Sequence, residues 1–233
     1  MDKLEVFINL DYQKISLIII DIQNKKKIKF TEFEVLNDFN NIDTILDNLN
    51  KILKGLIIDL EKEIDYTINS INLMIDSPLN LYIDLSVKKN FDQTKIQKNQ
   101  LEYLIQDLKQ QILRNNGEFI IGHILLKNFF INGTYHSEMP VGKVCKDLIL
   151  EAQFVCFSTK IIEPLKNFFD KHQIKINKII CTKYARTLLD DDSDNLKEAA
   201  TRAFLGSNIN EVEINQKKST KLGFFERIFH IFS

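Results

Sequence analysis

The sequence predicts a mixed α/β fold: a sheet covered by helices, interrupted by an insert that carries a small antiparallel sheet of its own. Three observations predict it. Three β-rich runs open the chain, at residues 4–10, 15–22 and 28–35, and a long helical stripe and a further apolar run at 71–75 follow them. The stretch 117–157 then holds four β-like runs, at 119–126, 128–131, 144–150 and 153–157. Asn132-Gly133 and Met139-Pro140-Val141-Gly142 separate those runs with turn chemistry, Asn-Gly for positive φ and Pro for a fixed φ. Helical patterns stand on both sides of this stretch.

In chain order, Asp11-Tyr12-Gln13-Lys14 joins the first two strands as a hairpin, and the third run extends the meander. Ile42, Ile45, Leu46, Leu49, Ile52, Leu53, Leu56 and Ile57 recur at helical spacing, with Asp and Asn on the other face. Residues 71–75 read as a buried strand ending at Asp76-Ser77-Pro78, and 79–87 as another. Thr94-x-x-Gln97 has the form of a capping box and opens a helix whose Leu101, Leu104, Ile105, Leu108 and Ile112 face one way. That helix stops at Asn115-Asn116-Gly117. Residues 79–158 therefore form a self-contained insert.

Ser158 or Thr159 caps the next helix, with Pro164 near its first turn and Ile161, Leu165, Phe168 and Phe169 on its apolar side. Residues 174–181 read as a strand, and 184–189 begin a helix that runs into the acidic 190–194, a solvated surface loop. An Ala-rich helix over 196–205 ends at Gly206. Residues 207–221 are polar and poorly patterned, a linker by composition. In 222–233, Leu222, Phe225, Ile228, Phe229 and Phe232 share one helical face, widened by Phe224 and Ile231. Glu226, Arg227, His230 and Ser233 lie opposite, which makes this an amphipathic helix on a leash.

Composition removes several function classes. With 233 residues and 44% hydrophobic content the chain has enough apolar matter for a true core. The formal net charge of -1 gives no field that recruits nucleic acid, and no local patch interleaves basic and aromatic residues. Cys145, Cys156 and Cys181 are odd in number and widely spaced, which points to a reducing compartment and to small buried side chains. No signal peptide and no bilayer-spanning apolar run is visible, so the expected location is cytoplasmic.

Catalytic chemistry is equally sparse. There is no Walker A run and no G-x-G-x-x-G, only seven scattered glycines, so no nucleotide cofactor is expected. His123, His136, His172 and His230 lack metal-ligand spacing, His136 with Cys145 coming nearest, and no metal is expected. No serine stands in a nucleophile elbow and no triad is legible. The chain reads as a non-enzyme. Its strongest pattern-based signal is the terminal segment. From residue 217 onward the formal charge is +3, and Lys217, Lys218 and Lys221 each add about 1 kcal/mol beside anionic lipid. With Leu222, Phe224, Phe225, Ile228, Phe229, Ile231 and Phe232 they make a membrane-surface anchor.

The order of parts resembles the FtsA family, the actin-like bacterial division proteins that tether the FtsZ ring to the membrane. The resemblance is carried by FINLDYQKISLIIIDI, by GHILLKNFFINGTYHSEMPVGKVCKDLILEAQFVCFSTKIIEPL, by NFFDKHQIKINKIICTKYARTLLDD and by the tail GFFERIFHIFS. It implies an actin-like, ribonuclease H-like half-domain, subdomain 1A, from residues 1–78 and 159–206, with an SHS2-like 1C insert at 79–158. It further implies a linker at 207–221 and a membrane-targeting helix at 222–233. The implied role is a non-enzymatic, membrane-tethered scaffold at the division site on the inner face of the membrane. Its implied partners are membrane lipids, division proteins with FtsZ among the candidates, and further copies of itself.

Two departures qualify the resemblance. After Asp194 the family continues into a second domain with a second phosphate loop, an adenosine motif and the 2B site for the FtsZ tail; here the chain passes straight to 196–206. Where the family's phosphate-1 loop has an acidic residue followed by Gly-Thr or Gly-Ser, this chain has Asn9, Asp11 and Tyr12. A bulky ring and an anionic carboxylate repel phosphate where a glycine backbone approaches it, so ATP binding is not expected. Two other readings share the parts: a PilM-like platform protein of type IV pilus assembly, which has the same 1A and 1C arrangement, and an actin-like ATPase.

Overall fold

The computed structural model describes residues 4–24, 26–64, 66–115, 117–190 and 195–212. Leu4–Leu10 (β1), Lys14–Asp21 (β2) and Lys26–Glu34 (β3) form an antiparallel meander. β1 ends in five consecutive buried residues and β2 in seven, so both strands need cover above and below. Ile42–Ile64 (α1) supplies it on one face, where Ile45, Leu49, Leu53 and Leu60 are buried. The helix outruns its expected stripe because Leu60 and Ile64 prolong the same apolar face. Ser70–Ile75 (β4) then pairs parallel to β1 on the side away from β2.

The chain now leaves this sheet and builds a second. Leu81–Lys95 (β5), Lys98–Asn115 (α2), Phe119–Ile131 (β6), Thr134–His136 (β7) and Val144–Ser158 (β8) give an antiparallel sheet of order β5-β8-β6-β7. All five expected core residues of α2 pack beneath it, among Leu126, Phe129, Leu148, Leu150 and Phe154. At the β6–β7 turn Asn132 and Gly133 both take positive φ, 53° and 83°, as the Asn-Gly pair predicts. Thr159–Lys171 (α3) leads back, and Lys175–Cys181 (β9) joins the first sheet parallel to β4. The completed order is β3-β2-β1-β4-β9. Thr182–Arg186 (α4) and Leu196–Leu205 (α5) close the remaining face, where Ala199, Ala200 and Ala203 lie close against Phe7, Ile18 and Met74.

Several local expectations change. The runs 119–126 and 128–131 are one strand, and so are 144–150 and 153–157. Lys127, between the first two runs, lies where β6 shifts register against β8, and Glu151 continues β8 on the open face of the sheet, where it accepts from Asn128 Nδ2 (2.6 Å) beside the Gln153 Nε2 to Asp84 bond (3.0 Å). β5 runs past residue 87 to Lys95 because Lys88, Lys89 and Asn90 continue its pairing with β8. Thr94 does not cap α2: it lies in β5, and its hydroxyl donates to Phe91 O at 2.6 Å. The cap lies three residues on, where Gln100 Oε1 accepts the Gln97 N–H at 2.9 Å.

Ser158 precedes α3 but makes no capping side-chain bond, and the Thr159 hydroxyl donates to Glu118 O (2.9 Å). Pro164 sits inside α3, beyond its first turn. The helix expected at 184–189 is the shorter and earlier α4. α5 matches its expected bounds, with Asn195 Oδ1 accepting from Glu198 N–H (3.1 Å) and Gly206 in the left-handed conformation at φ 68°. Asn116, most of the acidic loop (191–194), and everything from 213 onward lie outside the described residues. That last stretch includes Lys217, Lys218, Lys221 and the amphipathic segment 222–233.

One glycine is set by packing. β6 shifts register between Ile121 and His123, and a Cβ on Gly122 would lie 2.1 Å from Cε2 of the buried Phe157 ring. Gly122→Ala is expected to cost about 1–3 kcal/mol through overpacking. Urea unfolding measures it; an unchanged midpoint would mean the ring moves aside freely.

Candidate functional site

Open sheets with parallel strands bind ligands outside the carboxyl ends of those strands. Here that end carries Asn9, the turn at Asp11–Lys14, Asp76 and Thr182. Asn9 is fully buried; its Oδ1 accepts the Thr182 hydroxyl at 2.7 Å and its Nδ2 has no partner among the described residues. Asp11 turns its carboxylate onto its own loop, with Oδ1 accepting the Gln13 N–H (2.9 Å), while its N–H donates to Lys14 O (3.1 Å). Asn37 closes the turn from the other side, Nδ2 donating to Asp11 O (2.5 Å) and its backbone N–H to Tyr12 O (2.9 Å).

Two of the N–H groups that a phosphate cradle would use are therefore spent within the turn, and the Tyr12 side chain stands half-exposed over it. Only residues 187–195 join α4 to α5, too few to hold a second domain opposite. Asp11 and Tyr12 thus lie in a closed turn, and Asn9 stands just before it in β1, bound to Thr182. Asn37 and Thr182, which complete it, carry no motif that marks them.

A second feature lies where the two sheets meet. His123 of β6 is buried, at 5% exposure, and is bound at both ring nitrogens. Nε2 accepts the Cys181 N–H from the end of β9 at 2.9 Å, so the ring proton sits on Nδ1, which donates to Glu211 Oε1 at 2.7 Å. The Tyr184 hydroxyl of α4 donates to Glu211 Oε2 at 2.5 Å, and Asn208 Nδ2 donates to the Tyr184 oxygen at 3.2 Å. Burial by itself raises the Glu211 carboxyl, but the bonds donated by His123 and Tyr184 and the nearby Lys178 outweigh it and hold the group below its ordinary value. Burial, then the bond to Glu211, pushes the Tyr184 hydroxyl up.

Residues 207–212, expected as the start of a linker, are instead a strap. Leu126 N–H donates to Asn210 O and Val212 N–H to Ile124 O, both at 2.9 Å, with Glu211 antiparallel to Leu125. Asn210 Nδ2 also reaches Ser137 O at 3.3 Å. Composition misreads the strap because its polar side chains, which look solvent-seeking, are consumed by specific partners.

Beside this cluster runs a cleft of about 700 Å³ between Ile120–Gly122 of β6 and Asn177–Ile180 of β9, with Phe204, Ile209 and Val212 at its rim. β9 is the edge of its sheet. Residues 119–122 of β6 have no strand partner on the side away from β8, among the described residues. Both walls therefore present strand edges. A shallower hollow of about 560 Å³ lies on the open face of the second sheet, over Phe130 and Asp147. His136 and Cys145 do not converge on a cation: His136 Nδ1 lies 3.0 Å from Lys143 Nζ, and Cys145 is buried against Asn132. Among the described residues no helix is long and apolar enough to cross a membrane.

No family model matches the chain, and no curated protein matches it. Solved structures do. A chain of the PilM-PilN type IV pilus biogenesis complex superposes with a TM-score of 0.50 at 8% identity, covering 81% of this chain and 49% of its own. The cytoplasmic domain of EpsL, an inner membrane component of the type II secretion system of Vibrio cholerae, gives 0.38 at 8% identity, covering 78% and 57%. A Bacteroides thetaiotaomicron protein with an actin-like ATPase fold gives 0.36 at 14% identity, covering 79% and 54%. The chain spans about half the length of the structures it matches. Its fold is the actin-like half-domain with an inserted second sheet. Of the expected resemblance to FtsA, these comparisons support the actin-like fold and nothing specific to FtsA.

Because the folded-state Glu211 carboxyl titrates below its unfolded value, its stabilisation is complete above the unfolded value and is lost as pH falls through the folded one. Glu211→Gln is expected to unfold at lower urea than the parent at neutral pH, with the gap closing on acidification through the carboxylate range. A gap that stays constant with pH would remove the carboxylate from the clasp's energetics.

Proposed function

We propose that this protein is a non-enzymatic scaffold, a PilM-like cytoplasmic platform that holds an extended segment of a partner protein belonging to a membrane-associated assembly machine. One observation carries the reading: among the described residues, the 119–122 stretch of β6 has no strand partner on the side away from β8 and faces the edge strand β9 across an open cleft, while the turn where a nucleotide phosphate would sit is closed by Asn37. A strand laid into such a cleft gains main-chain hydrogen bonds, and side-chain pockets along the walls supply selectivity. The fold likeness to a chain from a complex of PilM with PilN supports a partner-holding role.

A second reading is favoured by a different observation, the amphipathic pattern of Leu222, Phe225, Ile228, Phe229 and Phe232 behind Lys217, Lys218 and Lys221. It is an FtsA-like scaffold that ties division proteins, FtsZ among them, to the inner face of the membrane at the division site. Weak single-copy anchoring becomes firm there through self-association or multivalent partners.

A photo-crosslinker replacing Asn177 in cells separates the two. An adduct with an inner-membrane pilus or secretion component supports the platform reading, an adduct with a division protein supports the second, and the absence of either sinks both. Liposome flotation of the intact protein and of a chain ending at Lys221 tests the anchor; equal flotation refutes it. Calorimetry with Mg-ATP is expected to show no binding heat under either reading, and tight binding would overturn the non-enzymatic assignment.

A further inference from the structure

We propose that the outer edge of β5 is a self-association surface, on which a second copy of this chain lays its own β5 antiparallel, with Ser86 opposite Ser86 on a two-fold axis. β5 is the outermost strand of the second sheet and 15 residues long; on the side away from β8 it pairs with no strand among the described residues. A strand of that length with one side open is a template for another chain. The regular part of the edge is residues 81–90. Beyond Asn90 a bulge, with Asp92 and Gln93 at φ 48° and 61°, interrupts the ladder with β8.

Two observations select a second copy as the occupant. The first is apolar cover. On the face over α2, Ile83, Leu85 and Val87 lie opposite Phe154, Ala152 and Leu150 of β8; the β8 residues are buried, those of β5 only half-buried. The apolar face of the sheet therefore runs out to its edge, and one more strand with apolar residues at the matching positions completes its cover.

The second is charge. Residues directly opposite in an antiparallel pair share a face. With Ser86 on the axis, Asp84 stands opposite Lys88 of the second copy and Lys88 opposite Asp84, while Leu85 and Val87 oppose each other twice on the apolar face. Centring on Leu85 instead sets Asp84 against Ser86, and centring on Val87 sets Leu85 against Lys89, so of the three registers only that on Ser86 matches both faces. Asp84 accepts from Gln153 (3.0 Å) and Lys88 lies 3.6 Å from Asp147, both exposed, and each retains capacity for a further bond. β8 separates β5 from β6, so the pairing leaves the cleft beside β9 open and a dimer carries two of them.

Sedimentation equilibrium of the full chain over a concentration series tests this. The parent is expected to be a reversible dimer. Asp84→Lys sets like charges opposite at both pairs, as Lys88→Asp does, and each is expected to raise the dissociation constant at least about tenfold. The double exchange, Asp84→Lys with Lys88→Asp, restores opposite charges and is expected to return to within about threefold of the parent. Urea midpoints matching the parent show that the variants fold. Ser86→Cys is expected to form a disulfide-linked dimer on mild oxidation, since the native Cys145, Cys156 and Cys181 are all buried. A parent that stays monomeric throughout overturns the proposal. So does association that the single reversals leave unchanged, or that the double exchange fails to restore.

Discussion

His123 is the point on which the two sheets are joined. Its imidazole satisfies a backbone N–H at the end of β9 with one nitrogen and a carboxylate of the strap with the other. An edge strand has unpaired donors by construction, and burying one without a partner costs about 1–3 kcal/mol. The ring removes that cost at Cys181 from outside the sheet, and in doing so sets how closely β6 approaches β9. Glu211 and Tyr184 then fix the tautomer the ring needs, so three stretches distant in sequence, around 123, 181–184 and 208–211, meet at one side chain.

The arrangement divides the molecule's polar interior into two regions of unlike character. At the carboxyl end of the first sheet the polar groups face inward on one another: Asn9 with Thr182, and the Asp11 loop with Asn37. The Tyr12 side chain stands half-exposed over them. At the junction of the sheets, by contrast, backbone edges are left open along Ile120–Gly122 and Asn177–Ile180 among the described residues. Among the described residues, open strand edges therefore line the seam between the first sheet and the insert.

Much of the fold was legible because it is written in local periodicity. The apolar runs of β1, β2 and β4 and the stripes of α1, α2 and α5 each declare themselves within a dozen or so residues. What was not legible depends on contacts the chain makes with itself at long range. The gaps at Lys127 and at 151–152 looked like strand breaks until the pairing of β6 with β8, with Asn128 donating to Glu151, was in place. His123 sits in an apolar run and had no role until Cys181, Tyr184 and Glu211 arrived from three other elements. Asn9, Asp11 and Tyr12 were singled out by position in the order of parts, whereas Asn37, which closes the Asp11 turn, lies in a loop with no distinguishing pattern.

The parallel pairing of β4 with β9 also governs how the protein is made. Ser70 lies opposite Lys175, about a hundred residues further along, so the first sheet cannot be completed until the whole insert has emerged and brought the chain back. The insert, built from a helix and neighbouring antiparallel strands, can organise from contacts much closer in sequence. Until β9 arrives, β4 is an exposed apolar edge, a nascent-chain species open to mispairing and to capture by chaperones. The same insert that supplies one wall of the cleft therefore sets the order in which the molecule folds.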